Sequence, residues 1–308
     1  MAAKGGAVGF FDSGLGGLCI LDAFKTLCPH ESTIYIADSK NCPYGNKPAA
    51  EIVKLAESNT RRLLRRGCKM VVVACNTATA AAIDFLRERH PEVPFIGIEP
   101  AVKPAALRSK TGVVGVLATA GTFGGRLYNE TKAKFAKDVT VIATVADEFV
   151  EIVESLRVNL ESNRVGVGSG SVGVGSGSVG VGSNSVGVGS GSVGVGSGSV
   201  GVGSDSVWAT LKDPNPTLKD PKLTLNDPKI VAVVRARIEP LLKAGCDKIV
   251  LGCTHFPHLK PLIVKICDGR AEVIDPSDAV ARQARRVLSA RGLAAPASAK
   301  SSHIFIRT

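Results

Sequence analysis

The sequence predicts an α/β protein of two doubly wound domains related by pseudo-twofold symmetry, the second carrying a low-complexity repeat insertion. Three observations support this. Short apolar runs alternate with helical stretches, the pattern of parallel sheets covered on both faces. Two distant stretches, Gly67-Cys-Lys-Met-Val-Val-Val-Ala-Cys75-Asn-Thr77 and Gly245-Cys-Asp-Lys-Ile-Val-Leu-Gly-Cys253-Thr-His255, align without a gap. Between them lies a glycine- and serine-rich array that suits neither helix nor strand.

Strands are expected at 7–11, 33–37, 70–74, 95–98, 112–117, 140–144, 249–252 and 272–274, each a short run rich in apolar residues. Helices are expected at 49–66, 78–89, 121–137 and 227–244. The last opens with Asp227-Pro228, a capping residue followed by one suited to the first turn. Gly97–Pro100 reads as the first crossing between domains and Asp275-Pro276-Ser277 as the return. The expected first domain is therefore 1–98 plus 276–308, and the second is 99–275, with flexible heptapeptide repeats at about 162–226.

From Val165 to Ser206 the unit Val-Gly-Val-Gly-Ser-Gly-Ser runs six times, with Asn184 and Asp205 as its only variations. Three Asp-Pro heptapeptides follow, beginning at Thr210, Thr217 and Thr224. Glycine fills positions where a coiled coil needs helix formers. A strand has period two and the unit is odd, so the valines change face from one repeat to the next. A flexible excursion is expected.

The 308 residues suffice for two α/β domains, and the 44% apolar content is that of a globular protein. No apolar run is long enough for a membrane span, and the start of the chain lacks a signal-like apolar core, so a cytoplasmic location is expected. Lysine and arginine exceed acidic residues by 11, but the charge is dispersed and not interleaved with aromatics. Neither nucleic acid nor membrane is an expected partner. The eight cysteines form no CxxC pair and no zinc-site spacing, so no metal is expected. Six of them, Cys42 included, are assigned to packing or to no role. Cys75 and Cys253 differ because parallel strands present their carboxyl ends to ligands.

The first strand leaves through Asp12-Ser13-Gly14-Leu15-Gly16-Gly17, which lacks the spacing of a dinucleotide loop. It reads either as a capped strand–helix turn or as a ligand-facing loop. Pro43-Tyr44-Gly45 reads either as an ordinary turn or as a phenol and an open amide over a site. Cys75-Asn76-Thr77 and Cys253-Thr254-His255 place thiols, hydroxyls and amides at strand exits, where free N–H groups bind carboxylates. A helix N-terminus there is expected to lower a thiol's pKa.

These motifs, with Ala74-Cys-Asn-Thr-Ala-Thr-Ala80, Gly97-Ile-Glu-Pro-Ala101 and Leu251-Gly-Cys-Thr-His-Phe-Pro257, resemble those of the glutamate racemases and occur in that family's order. The resemblance implies cofactor-independent interconversion of L- and D-glutamate, supplying D-glutamate for peptidoglycan. It implies acid/base roles for Cys75 and Cys253, assisted by Asp12 and His255. It assigns substrate contacts to Asp12, Ser13, Tyr44, Gly45, Asn76, Thr77, Thr119, Thr122, Thr254 and His255, and an auxiliary place to Glu154. The implied ligand is a small molecule, L- or D-glutamate, and the assembly considered is a homodimer. Inverting a carbon without a cofactor needs a base on one face and an acid on the other. Two readings compete: another member of the superfamily (an aspartate or hydantoin racemase, or a one-cysteine decarboxylase), and a racemase-like binding protein.

Deleting Val165–Ser206 is expected to leave catalysis largely intact, read by circular dichroism of glutamate. Loss of soluble protein on deletion would show instead that the array belongs to the fold.

Overall fold

The structure, a computed structural model, describes residues 5–164 and 225–308. The Val165–Ser206 array and most of the Asp-Pro repeats lie outside the described residues, and with them the expected flexible excursion.

Two all-parallel sheets organise the described residues. The first is ordered β4-β3-β1-β2-β9, with β1 Val8–Asp12, β2 Thr33–Ala37, β3 Met70–Val73, β4 Phe95–Gly97 and β9 His303–Arg307. The second is ordered β6-β5-β7-β8, with β5 Val113–Ala118, β6 Thr140–Val145, β7 Lys248–Leu251 and β8 Glu272–Ile274. If β5 is matched to β1, β6 to β2, β7 to β3 and β8 to β4, the two orders coincide. The added strand β9 pairs with β2 of the first sheet only.

The near-copies seen in the sequence occupy equivalent places. Helix α2 (Ala49–Leu64) leads into β3 and α8 (Pro228–Lys243) into β7. Each transition turns on a left-handed glycine, Gly67 at φ 76° and Gly245 at φ 81°, a conformation a Cβ would strain. The amides of Gly67 and Cys68 bond back to Leu64 and Leu63, and those of Gly245 and Cys246 to Leu242 and Leu241. This is the same glycine-terminated helix end used twice.

Alternation along the strands divides the core among four layers. On the first sheet Phe10 and Val72 face α1 (Leu18–Leu27) and α10 (Ser277–Ala290). Phe11, Val71 and Val73 face α2 and α3 (Asn76–Arg89). On the second sheet Leu117, Ile249 and Leu251 face α7 (Glu148–Arg164), α8 and α9 (Lys260–Cys267). Val114, Val116 and Val250 face α4 (Val102–Arg108) and α6 (Arg126–Phe135). Each fully buried side chain of this kind contributes about 1.5–3 kcal/mol. These layers fix the strand ends that carry the polar residues.

The helix expected at 121–137 is two helices, α5 (Ala120–Phe123) and α6. Gly124 and Gly125 interrupt it: Gly125 takes an extended N-cap conformation at φ −72°, ψ 141°. A Cβ on Gly125 would lie 2.6 Å from that of Ala80, so the break lets the chain pack on α3. Helix α3 also starts earlier than expected, at Asn76 with Cys75 as its N-cap.

A buried ion pair ties α1's exit to β3. Lys69 Nζ lies 2.7 Å from Glu31 Oε2, with both side chains buried, and Glu31 Oε1 accepts the Ala295 amide at 2.6 Å. Lys69→Met leaves the Glu31 carboxylate buried and uncompensated, and is expected to cost about 3–5 kcal/mol in chemical unfolding. The double variant Lys69→Met/Glu31→Leu is expected to recover most of that loss.

Candidate active site

Both sheets deliver side chains from the carboxyl ends of their inner strands to one small cavity. It is lined by Ser13, Pro43, Tyr44, Gly45, Cys75, Asn76 and Thr77 on one side and by Thr119, Val150, Cys253, Thr254 and His255 on the other. The cavity measures about 10 Å3, room for about one water molecule. Ten of the thirteen predicted site residues thus meet. Asp12, Thr122 and Glu154 stand behind the lining. Pro43 belongs to the Pro-Tyr-Gly loop already marked in the sequence, whereas Val150 escaped the sequence reading because an apolar wall carries no chemical signature.

Asp12 closes β1 and is wholly buried. Its Oδ2 accepts the amides of Gly14 at 3.3 Å and Gly17 at 3.1 Å, and its Oδ1 accepts the Thr254 hydroxyl at 3.3 Å. Burial raises the pKa of this carboxyl, while His255 and the two amides work in the opposite direction.

Cys75 caps α3, its sulfur accepting the Ala78 amide at 3.4 Å and lying 3.9 Å from Ser13 Oγ. The expected lowering of its pKa by the helix N-terminus is overturned. Burial pushes the thiol well up, and the charges of Asp12 and Cys253 push the same way, outweighing the Ala78 amide. Next to it, the Asn76 side chain is buried with neither its Oδ1 nor its Nδ2 hydrogen-bonded among the described residues. An amide in that state costs free energy unless a ligand completes it. Thr77 Oγ1 sits 2.9 Å from Thr119 Oγ1, which sits 3.0 Å from Thr122 Oγ1, a hydroxyl chain running away from the cavity.

Tyr44 is held from outside the lining. Its hydroxyl donates to Asp38 Oδ2 at 2.6 Å, and Asn59 Nδ2 donates to both. Burial and the Asp38 bond keep the phenol protonated, and burial of Asp38 is outweighed by the donors around it, so its pKa is lowered. Asp38 and Asn59 were not predicted; nothing in their sequence neighbourhoods marks them.

Across the cavity, His255 lies 3.8 Å from Cys253 Sγ through Nδ1 and 2.7 Å from Glu154 Oε1 through Nε2. Burial disfavours the imidazolium. Hydrogen bonds to Cys253, Cys42 and Glu154 overcome that and raise its pKa well above the ordinary histidine value. Glu154 is correspondingly lowered: its burial is outweighed by His255 and by the Leu15 amide, which donates to Oε1 at 2.7 Å. Both His255 ring nitrogens thus face acceptors. Cys42, set aside in the sequence, belongs to this group.

The arrangement offers two sulfurs with different partners: a buried thiol beside a carboxylate, and a sulfur beside an imidazolium. Such a pair suits proton removal on one side of a ligand and delivery on the other. Among the described residues no helix is long and apolar enough to cross a membrane.

A family profile described as Asp/Glu/Hydantoin racemase matches residues 19–159. A glutamate racemase of Herpetosiphon aurantiacus is 36% identical over 295 residues, covering 96% of this chain and 89% of that protein. The structure of a Thermus thermophilus glutamate racemase complexed with beta-chloro-D-alanine superposes with a TM-score of 0.65 at 27% identity, covering 99% of this chain and 88% of that one. The Escherichia coli glutamate racemase, solved with L-glutamate and an activator, gives 0.62 at 26%, covering 98% and 89%. Identity of this extent over nearly the whole chain, carried on the same two-sheet fold, means that the chain belongs to the glutamate racemase family.

Proposed function

We propose that this protein interconverts L- and D-glutamate without a cofactor, by two-base proton transfer between Cys253 and Cys75, and supplies D-glutamate for peptidoglycan in the cytoplasm. The observation that carries the reading is that a sulfur from an equivalent strand exit of each sheet lines the same cavity. The two sheets act as two domains, residues 1–98 with 276–308 and residues 99–275.

One sulfur must be thiolate when the other is thiol, and the two stand in different environments. His255 stands beside Cys253 and is favoured as imidazolium, with the Glu154 carboxylate holding that ring from behind. Cys75 is kept protonated by burial and by the neighbouring Asp12 charge. By the family resemblance, L-glutamate loses its α-proton to Cys253 and receives one from Cys75 on the opposite face; the reverse direction exchanges the duties. Because the sulfurs are coupled, measured pKa values belong to the pair.

The α-proton is far less acidic than a thiol, so developing charge needs preorganised donors. The uncommitted Asn76 amide, the Thr77 hydroxyl and Ser13 supply them. Thr119 positions Thr77, with Thr122 behind it, and Asp12 orients Thr254. Tyr44 and Gly45 complete the near wall. Exclusion of water by the closed cavity strengthens each of these interactions.

In deuterated water the wild type is expected to exchange the α-proton of both enantiomers while producing the opposite one. Cys75→Ala and Cys253→Ala are each expected to abolish racemisation, and near-native turnover by either would sink the two-base reading.

Glu154→Gln removes the carboxylate that favours the charged imidazole, so the His255 pKa falls. The protonated form is lost as pH rises through that pKa. The alkaline limb of the L-to-D rate profile is therefore expected to move to lower pH, by about one unit. An unmoved limb would detach Glu154 from the reaction.

A further inference from the structure

Cys42 has no part in the proton transfer, yet the fold carries its sulfur to the back of His255. One donor atom each from Cys42, Glu154 and His255 lie within 4.8 Å of one another. They come from separate places: Cys42 from the loop after the short 3-10 turn Ser39–Asn41, Glu154 from α7, and His255 from the exit of β7. The floor beneath them is Gly14. A Cβ there would lie 2.1 Å from Glu154 Oε1 and 3.2 Å from Cys42 Sγ, so the approach of these two donors needs glycine.

Thiolate sulfur, imidazole nitrogen and carboxylate oxygen together suit zinc and similar borderline-soft divalent ions. Zinc bonds of about 2.0–2.3 Å hold tetrahedral donors roughly 3.5 Å apart. The cluster is close to that spacing: its widest separation, at most 4.8 Å, must contract by up to about 1.3 Å, and the 2.7 Å contact of His255 with Glu154 must open.

We propose that Cys42, Glu154 and His255 form an inhibitory site for a zinc-class divalent cation in the wall of the active site. The ion replaces two protons, one from the Cys42 thiol and one from the imidazolium, and both leave to solvent. The His255 nitrogen lone pair that held a proton then holds the metal, and Cys253 loses its cationic partner. Cys42 lies on the side of the first sheet, Glu154 and His255 on that of the second, so the ion also ties the two walls of the cavity together. The inhibition rests on the racemase reading; the binding does not.

The test uses the full reduced chain, stripped with chelator and titrated separately with zinc chloride and cobalt chloride. Zinc is expected to abolish racemisation of L-glutamate, and EDTA to restore it. Cobalt is expected to give a sulfur-to-metal charge-transfer band. Cys42→Ser and Cys42→Ala are expected to lose that band and to raise the half-inhibiting zinc concentration by at least about tenfold. A wild type without the cobalt band overturns the proposal whatever the variants do. So does a band or an unchanged zinc sensitivity that persists in both Cys42 variants, because the ion then sits on the catalytic thiols. If the metal-free enzyme fails to racemise glutamate but the Cys42-dependent band appears, the metal site stands and the racemase reading falls.

Discussion

Glu154 Oε1 accepts two short bonds, each of 2.7 Å, one from the Leu15 amide and one from His255 Nε2. The first donor belongs to the turn after β1, the second to the exit of β7. A single carboxylate oxygen therefore joins the two halves and sets the charge of the imidazole between them. Remove it and His255, wholly buried, has less reason to keep a proton. Without that proton, the sulfur of Cys253 has no cation beside it. The protonation of Cys75 is tied to the same chain, because charge on Cys253 and Asp12 is part of what keeps its thiol neutral.

The duplicated topology makes this asymmetry informative. The two thiol-bearing strands share the helix ends that lead into them, their left-handed glycines and their neighbouring strand order. They differ in what stands beside each sulfur. Cys75 has an N-cap amide and a carboxylate; Cys253 has an imidazolium. A symmetric scaffold thus places the thiols, and unlike neighbours surround them. A reaction that must run in both directions needs that difference to be small enough for the roles to exchange.

What the sequence disclosed followed from local pattern. The matched Gly-Cys strands fixed the positions of both thiols, and Asp227-Pro228 marked the start of α8, where Asp227 does cap Lys229 N at 2.8 Å. Periodicity failed at Gly124-Gly125, because the break there answers to the approach of α3 and not to local propensity. The helix-end argument failed for Cys75 for a similar reason: the amide bond is present, but burial, which depends on the whole fold, is the larger influence. Cys42, Asp38 and Asn59 were illegible. Their partners lie far away in sequence or act only through Tyr44 and His255.

The size of the cavity sets a final constraint on how the site works. With room for about one water, it admits an amino acid only when its walls part. Polar contacts between the two sides include Thr254 to Asp12, Leu15 to Glu154, His258 to the Gly16 carbonyl at 3.1 Å, and Thr77 to Thr119. Each contributes only about 0.5–1.5 kcal/mol net, because water takes over the freed groups when the walls separate. A substrate bearing two carboxylates offers acceptors to the amides and hydroxyls so released, and to the Asn76 amide that has no other partner among the described residues. Closing over glutamate therefore exchanges wall-to-wall bonds for bonds to ligand. The polar groups that join the walls are thus the ones that later hold the reacting carbon between two sulfurs.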